Sequence, residues 1–291
     1  MGRVEAHLRG TLIMARRRIS EDATSKLAVW ARRLALFSLA ASILSIIVVR
    51  SDLLEIVPAL ATFAAALTFA VLAIILALGA FIVIWKDGLD GFGHALLAMG
   101  IGLGLIAYPV YLGMKVYRLP PITDVTTDAG DPPRFEAIAQ LRPRDANPVT
   151  YGGRPAAEKQ RAAYPDIEPL VVTTNAQQTY EAAFAVITKR KWRILDARAP
   201  QARREGHIEA VVRSPIMGFR DDLVVRVRPD GDGARLDARS ASRYGSHDFG
   251  DNANRIRALL EDIDTTLGSE AAVKKPQPAG KPQPKGGAAK R

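Results

Sequence analysis

The stretch DARSASRYGSHDFGDNANRI, Asp237 to Ile256, gathers arginines, serines, aspartates and a histidine where a strand pattern gives way to a helical one. His247 beside Asp248, with Ser240, Ser242 and Ser246 nearby, supplies the residue types of hydrolytic chemistry. Adjacent residues do not make a triad, however, and the chain has no G-x-S-x-G elbow to expose a nucleophile. His247 is therefore a catalytic candidate whose context argues against it. Asp221 and Asp222 fall on opposite faces of a strand, so they cannot flank one substrate as an acid/base couple.

A second chemistry is anion binding. Arg239 and Arg243 lie on one strand face, and a helix start at Ser246 or Asp248 adds backbone N–H donors; Arg239, Arg243, Ser246 and Asp248 could converge on a carboxylate or phosphate. The plainer alternative is structural, and it is preferred because ion-pair networks commonly mimic sites. On that reading Asp222 pairs with Arg239 across a hairpin, and Arg243 bonds Asp248 or backbone carbonyls. Ser246 or Asp248 caps the last helix, and Asn252 caps or packs.

The elements that must position these residues are legible from periodicity. Leu170–Thr173 reads as a short strand; Asn175, with Gln178 three residues on, opens a helix that carries Tyr180, Phe184 and Ile187 on one face. Strands follow near Trp192–Arg198, Gly206–Arg213, Asp222–Arg228 and Ala234–Ala241, then a helix from about Phe249 to Leu267. Pro229-Asp230-Gly231-Asp232 offers a tight Asp-Gly turn; closing it pairs Pro229 with Asp232 and sets Leu223 against Ala238, Val225 against Leu236 and Val227 against Ala234, so the apolar side chains share one face. It also sets Asp222 against Arg239, and Arg226 against Arg235 as an awkward like-charge pair. The whole predicts three transmembrane α-helices followed by an α+β domain with a largely antiparallel sheet and two main helices.

Residues 119–169 hold nine prolines, which predicts an extended arm (117–169) that wraps onto a 170–267 domain, with a short helix near Phe135–Leu141. Asp124, Asp128 and Asp131 lack the spacing and closing Glu of a calcium loop, so they read as turn and cap residues, and no metal or cofactor is expected. The tail 268–291, with two KPQP repeats, reads as disordered and basic.

The net charge of +10 sits at the ends. A domain that grips nucleic acid carries its charge on the fold, so nucleic acid is not an expected partner. The chain has no cysteine, which excludes disulfides and thiolate sites. Within 27–116 three apolar spans, about Leu34–Val49 (extended back through Leu27–Trp30 with Arg32 and Arg33 at the interface), Leu53–Trp85 and Phe92–Val116, read as bilayer crossings. Eight basic residues precede or enter the first span, against Arg50 and Lys86 in the short loops, which predicts a cytoplasmic N-terminus (1–26) and a C-terminal domain on the opposite side. Trp85, Tyr108, Tyr111 and Tyr117 read as interfacial anchors. Gly100-x-x-x-Gly104 reads as a close-packing helix face or self-association surface; it lacks the lysine of a phosphate loop. No Asp, Glu, Lys or Arg lies mid-span, which argues against an ion path. The N-terminus lacks a cleavable-signal pattern, and Met14 in MARRR resembles an alternative start.

Four motifs in order, TDVTTDAGDPPRF, YPDIEPL, GFRDDLVVRV and the opening stretch, resemble the domain-of-unknown-function family numbered 1499 over about Ile122–Leu267. The resemblance implies no activity, ligand or catalytic residue. The residues themselves support a multi-pass inner-membrane protein, its partners the lipid bilayer, an anionic lipid or envelope ligand, or a second copy or membrane protein. The alternatives are an envelope hydrolase using Arg239, Arg243 and His247, and a subunit of a transport assembly.

Overall fold

The structure is a computed structural model that describes residues 23–51, 56–202 and 204–274. Most of the basic N-terminus, with Met14, and the tail beyond Lys274 lie outside these residues. The chain divides into two compact units: Met1–Pro121 with Arg213–Arg220, and Ile122–Val212 with Asp221–Arg291.

The first unit holds three helices long and apolar enough to cross a membrane: α1 (Lys26–Arg50), α2 (Ile56–Asp87) and α3 (Phe92–Arg118). Their contacts are built from small residues, with Ala28, Ala31, Ala35, Ala73, Ala77, Ala80, Ala95 and Ala98 all buried. Large apolar side chains such as Phe37, Leu44, Ile75, Ile82 and Leu103 face outward. A water-soluble bundle buries its large side chains; small residues inside and large ones outside suit helices whose solvent is lipid. Ser25 caps α1, accepting from the Ala28 N–H, and Ser38 Oγ donates to the Ala66 carbonyl at 2.7 Å, tying α1 to α2. Trp85 and Tyr117 are almost fully exposed, as interfacial anchors would be.

The glycine run in α3 packs differently from the expectation. A Cβ on Gly102 would lie 2.6 Å from Ile74 Cγ1 and 3.2 Å from the Ala70 carbonyl oxygen, whereas Gly100 and Gly104 have nothing within 4 Å. The close approach to α2 is at Gly102, because the 100/104 pair lies on another side of the helix. Residues 213–220 complete the unit: Met217 and Phe219 pack with Val49, Ile46 and Phe63, and Arg50 Nη1 donates to the Pro215 carbonyl at 2.8 Å.

The second unit is a six-stranded sheet with helices. In chain order it comprises β1 (Asp124–Thr126), α4 (Ala137–Leu141), α5 (Gly153–Ala163), β2 (Leu170–Val172) and α6 (Ala176–Lys189). There follow β3 (Arg193–Arg198), β4 (Gly206–Arg213), β5 (Arg220–Asp230), β6 (Gly233–Ser242) and α7 (Asp251–Lys274). The strand order is β1-β6-β5-β4-β3, with β2 also pairing β6, and the pairings are antiparallel. Asn175 caps α6 as its sequence predicts, accepting from the Gln178 N–H at 2.9 Å.

The hairpin register corrects the sequence reading. Asp230 pairs with Gly233, so Leu223 faces Ser240, Val225 faces Ala238, Val227 faces Leu236 and Asp222 faces Ala241. The reason lies in the turn: Gly231 takes a positive φ of 55° at the first central position, so the two-residue loop is Gly231-Asp232, closed by Asp230 and Gly233, one residue further along the chain than the expected Asp230-Gly231 loop. The shift moves each partner by two residues, so faces are kept while pairs change. It removes the Arg226–Arg235 clash, because Arg226 now faces Asp237.

One sheet face carries Leu223, Val225, Val227, Ala234, Leu236 and Ala238, buried on the side where Ser240 bonds Asn252 of α7. Ile256, Leu259, Ile263 and Leu267 of α7, and Ala183, Val186 and Ile187 of α6, are buried too. The final helix runs seven residues past its expected end at Leu267, into what reads as tail, since Ser269 and the alanines do not break it.

The other sheet face is charged, and the segment from Thr127 to Gly152 covers it. The sequence reads 117–169 as an arm beside the domain, but β1 within it is a sheet strand and α5 an unanticipated helix. Pro143 and Pro148 lie in the irregular stretch before α5, whereas Gly153–Ala163 holds only Pro155, within its first turn where proline is tolerated. Gln160 of α5 donates to the Thr126 carbonyl and accepts from the Thr126 N–H, so a side-chain amide closes part of the outer edge of β1. The arm seats Phe135 and Ile138 against Val211, Val224 and Ala241.

Candidate functional site

The register places Asp222, Val224, Arg226 and Arg228 of β5 on one face with Arg235, Asp237, Arg239 and Ala241 of β6. Burying cations costs several kcal/mol each unless they are paired, so this face requires carboxylates. Asp222 and Asp237 supply two from within the face, and the arm brings others. Asp237, with no exposure, accepts from Arg226 and Arg228 through Oδ2 (3.1 and 2.8 Å) and from Arg235 through Oδ1 (3.1 Å). Asp131 accepts from Arg226 Nη1 at 2.9 Å, and Asp128 from Arg235 Nη2 at 3.0 Å. Asp128 Oδ1 also accepts from the N–H groups of Gly130 and Asp131, the turn duty its sequence suggests. Burial raises the Asp128 pKa, but those two N–H groups with Arg235 and Arg226 outweigh it and hold the carboxyl below its ordinary value.

Asp222 and Arg239 do not pair, which corrects the expected tie. With Asp222 opposite Ala241, its carboxylate accepts from Arg243 Nε and Nη2 (2.9 and 2.7 Å) and from Arg142 Nε of the arm (2.8 Å). Arg243 is thus closed off on Asp222, not on Asp248, and it is 4% exposed. Arg239 instead takes Asp124 of β1 in a two-pronged pair at 2.9 and 2.7 Å. Its remaining bonds go to the Pro133 and Val149 carbonyls, and its guanidinium lies 4.7 Å from the centre of the Phe135 ring and 5.6 Å from that of Tyr151. Phe135 meets the Arg142 guanidinium as well, at 5.9 Å.

The proposed anion site does not assemble. Asp248 caps α7, its two oxygens accepting from the Gly250 and Asn252 N–H groups at 3.0 Å each. Burial raises its pKa, with Asp251 and Asp221 adding to the effect and the two N–H groups opposing it. Ser246 is exposed and bonds the His247 Nδ1 at 3.1 Å, so Ser246 and His247 form a surface contact. Asn252 is structural as read: it accepts from Ser240 and Arg255 and donates to Thr123 and Ser242. Asp221, on the helix side, is paired with Arg255 at 2.6 Å.

Of the named candidates, Arg239 lines a cavity. Beside it the arm encloses a cleft of about 640 Å³, walled by Phe135, Ala139, Val149, Tyr151, Arg134 and Asp131 among others. The Tyr151 hydroxyl is buried and has no hydrogen-bond partner, and burial together with the nearby Asp124 carboxylate pushes its pKa up to about 12, against the opposing pull of Arg239. It therefore stays a neutral O–H donor at any physiological pH. Arg239 uses four of its five N–H donors on Asp124, Pro133 and Val149. Arg134 is exposed and has no ion pair among the described residues.

A further cluster lies on β3 and β4, where ligand atoms of Asp196, His207 and Glu209 are within 4.8 Å of one another. Glu209 is already engaged: its oxygens accept from the N–H groups of Glu136, Ala137 and Ile138 at the start of α4, and from His207 Nε2 at 2.9 Å. Burial raises its pKa, but the His207 bond and the α4 N–H groups prevail and lower it, so Glu209 is an ionised acceptor and His207 Nε2 the donor. This cluster positions α4, the wall of the cleft.

Sequence reasoning missed Asp124, Phe135, Arg142 and Tyr151. The available signal was charge arithmetic: by strand alternation Arg226 and Arg228 share one face of β5 and Arg235, Arg239 and Arg243 one face of β6 and its extension, and the three early aspartates 124, 128 and 131 are counter-charges for them. No curated protein matches the chain. Over residues 124–263, from β1 into α7, the α+β domain that follows the three apolar helices matches the family model described as a protein of unknown function (DUF1499).

Proposed function

We propose that this chain is a non-enzymatic inner-membrane protein whose three helices anchor an extracytoplasmic α+β domain that binds an anionic envelope ligand in the cleft beside Arg239. The observation that carries the reading is the cleft itself. Its volume of about 640 Å³ lies in the range of small-molecule pockets, and it presents uncommitted donors at Tyr151 and Arg134 over an apolar wall. The orientation rests on the eight basic residues at or before the first helix. A hydrolase through Arg239, Arg243 and His247 draws less support: Arg243 is closed by Asp222, and His247 does not line the cleft.

Native mass spectrometry of the full chain released from micelles tests binding; a retained small anion, lost in Tyr151→Phe with Arg134→Gln, is the expected result. Recovery of the same ion from that double variant would remove the cleft from consideration. A C-terminal phosphatase fusion should be active and a fluorescent-protein fusion dark; the reverse pattern overturns the orientation.

A further inference from the structure

The cleft's inventory says what kind of anion would fit. The lining holds three donors: Arg239 keeps one N–H free, Tyr151 offers its hydroxyl and Arg134 adds an uncommitted positive charge. The one carboxylate in the lining, Asp131, is already bonded to Arg226 and Arg228. The site therefore asks for an oxyanion and rejects a cation. A bare oxyanion would leave Phe135, Ala139, Val149 and Pro132 facing an unfilled volume. Those side chains gain only when apolar atoms displace water from them.

We propose that the ligand of this cleft is an acyl-chain oxyanion, its head at Tyr151, Arg134 and the free Arg239 N–H and its chain along Phe135, Ala139 and Val149. This rests on the cleft being the binding site, and it adds the chemical class. Affinity then rises with chain length by about fourfold per buried methylene until the cleft is full. It falls about tenfold when the hydroxyl donor is removed.

The test is equilibrium dialysis of the full chain in nanodiscs against inorganic phosphate, butyl, hexyl and octyl phosphate, octanoate and octyltrimethylammonium, with empty nanodiscs subtracted. Tyr151→Phe, Arg134→Gln and Ala139→Trp are measured alongside, with circular dichroism to verify folding. Tyr151→Phe keeps its ring, and Arg134 and Ala139 are exposed, so each variant should fold. The expected result is a chain-length slope in the wild type that Ala139→Trp abolishes, tenfold weaker binding in Tyr151→Phe, and no uptake of the cation. If inorganic phosphate binds as tightly as octyl phosphate, the acyl class is wrong and the cleft reading survives. If octyltrimethylammonium binds as well as octanoate, the oxyanion assignment fails. A slope that persists in Ala139→Trp means partition elsewhere and sinks both readings. No uptake of any probe above background overturns the acyl class, and the retained small anion sought by mass spectrometry then decides the cleft reading separately.

Discussion

Asp222 is the residue whose loss should be felt most. Its carboxylate has no exposure and faces two guanidiniums, Arg243 at 4% and the Arg142 side chain at 2% exposure, through contacts of 2.7 to 2.9 Å. In Asp222→Asn the shape is kept while two buried cations lose their counter-charge. Breaking such a pair costs about 3–5 kcal/mol, because the abandoned charge cannot return to water. For a domain of this size that lowers the midpoint of its unfolding by roughly 6–20 °C. The assay is thermal unfolding of the full chain in detergent with Trp30 and Trp85 replaced by Phe, so that Trp192, in the α+β domain, reports alone. Double-mutant cycles with Arg243→Met and Arg239→Met then apportion the effect. The structure requires the larger coupling with Arg243, since Arg239 has its own carboxylate in Asp124. A loss under about 1 kcal/mol in Asp222→Asn, or a larger coupling to Arg239 than to Arg243, refutes the register and the burial argument together.

Three further perturbations follow from the same geometry. Glu209 has a depressed pKa in the fold, so it contributes stability that is present above the ordinary carboxyl value and lost as pH falls through the folded value. Acid unfolding curves of Glu209→Gln should be shallower over that window, and curves parallel to wild type would dismiss the assignment. Tyr151 is raised to about 12, so its stabilisation is complete below the ordinary phenol value and lost as pH rises through 12. The ultraviolet titration of wild type minus Tyr151→Phe should isolate one phenol ionising near that value, and an ionisation at 10 would contradict its burial. Gly102→Ala forces a Cβ to within 2.6 Å of Ile74, costing about 1–3 kcal/mol in helix packing, whereas Gly100→Ala and Gly104→Ala should be near neutral. Unfolding of the three variants in detergent orders them, and equal losses at all three positions would show that the glycines act as one surface.

Local information settled much of the architecture. A run such as Ala64–Ile84 has no charge, so it is long and apolar enough to cross a membrane. The period-two alternation in β5 and β6 fixed which residues share a face, and it placed Asp221 and Asp222 apart irrespective of register. Asn175 and Asp248 cap helices because their side chains reach N–H groups two to four residues away. Partner choice is a different matter. A two-residue change in register kept every face and replaced every pair, so Asp222 exchanged Arg239 for Arg243 and Arg142. The arm decided the rest. Asp124, Phe135 and Tyr151 lie roughly 90 to 115 residues from Arg239 in the chain, and no periodicity links such distant positions. What the sequence by itself determined is the set of faces, caps and apolar spans, since these depend on neighbours within a few residues. What only the tertiary structure decided is which carboxylate neutralises which arginine and where a cleft remains, because buried charges take whichever partner the folded arm brings within hydrogen-bond reach.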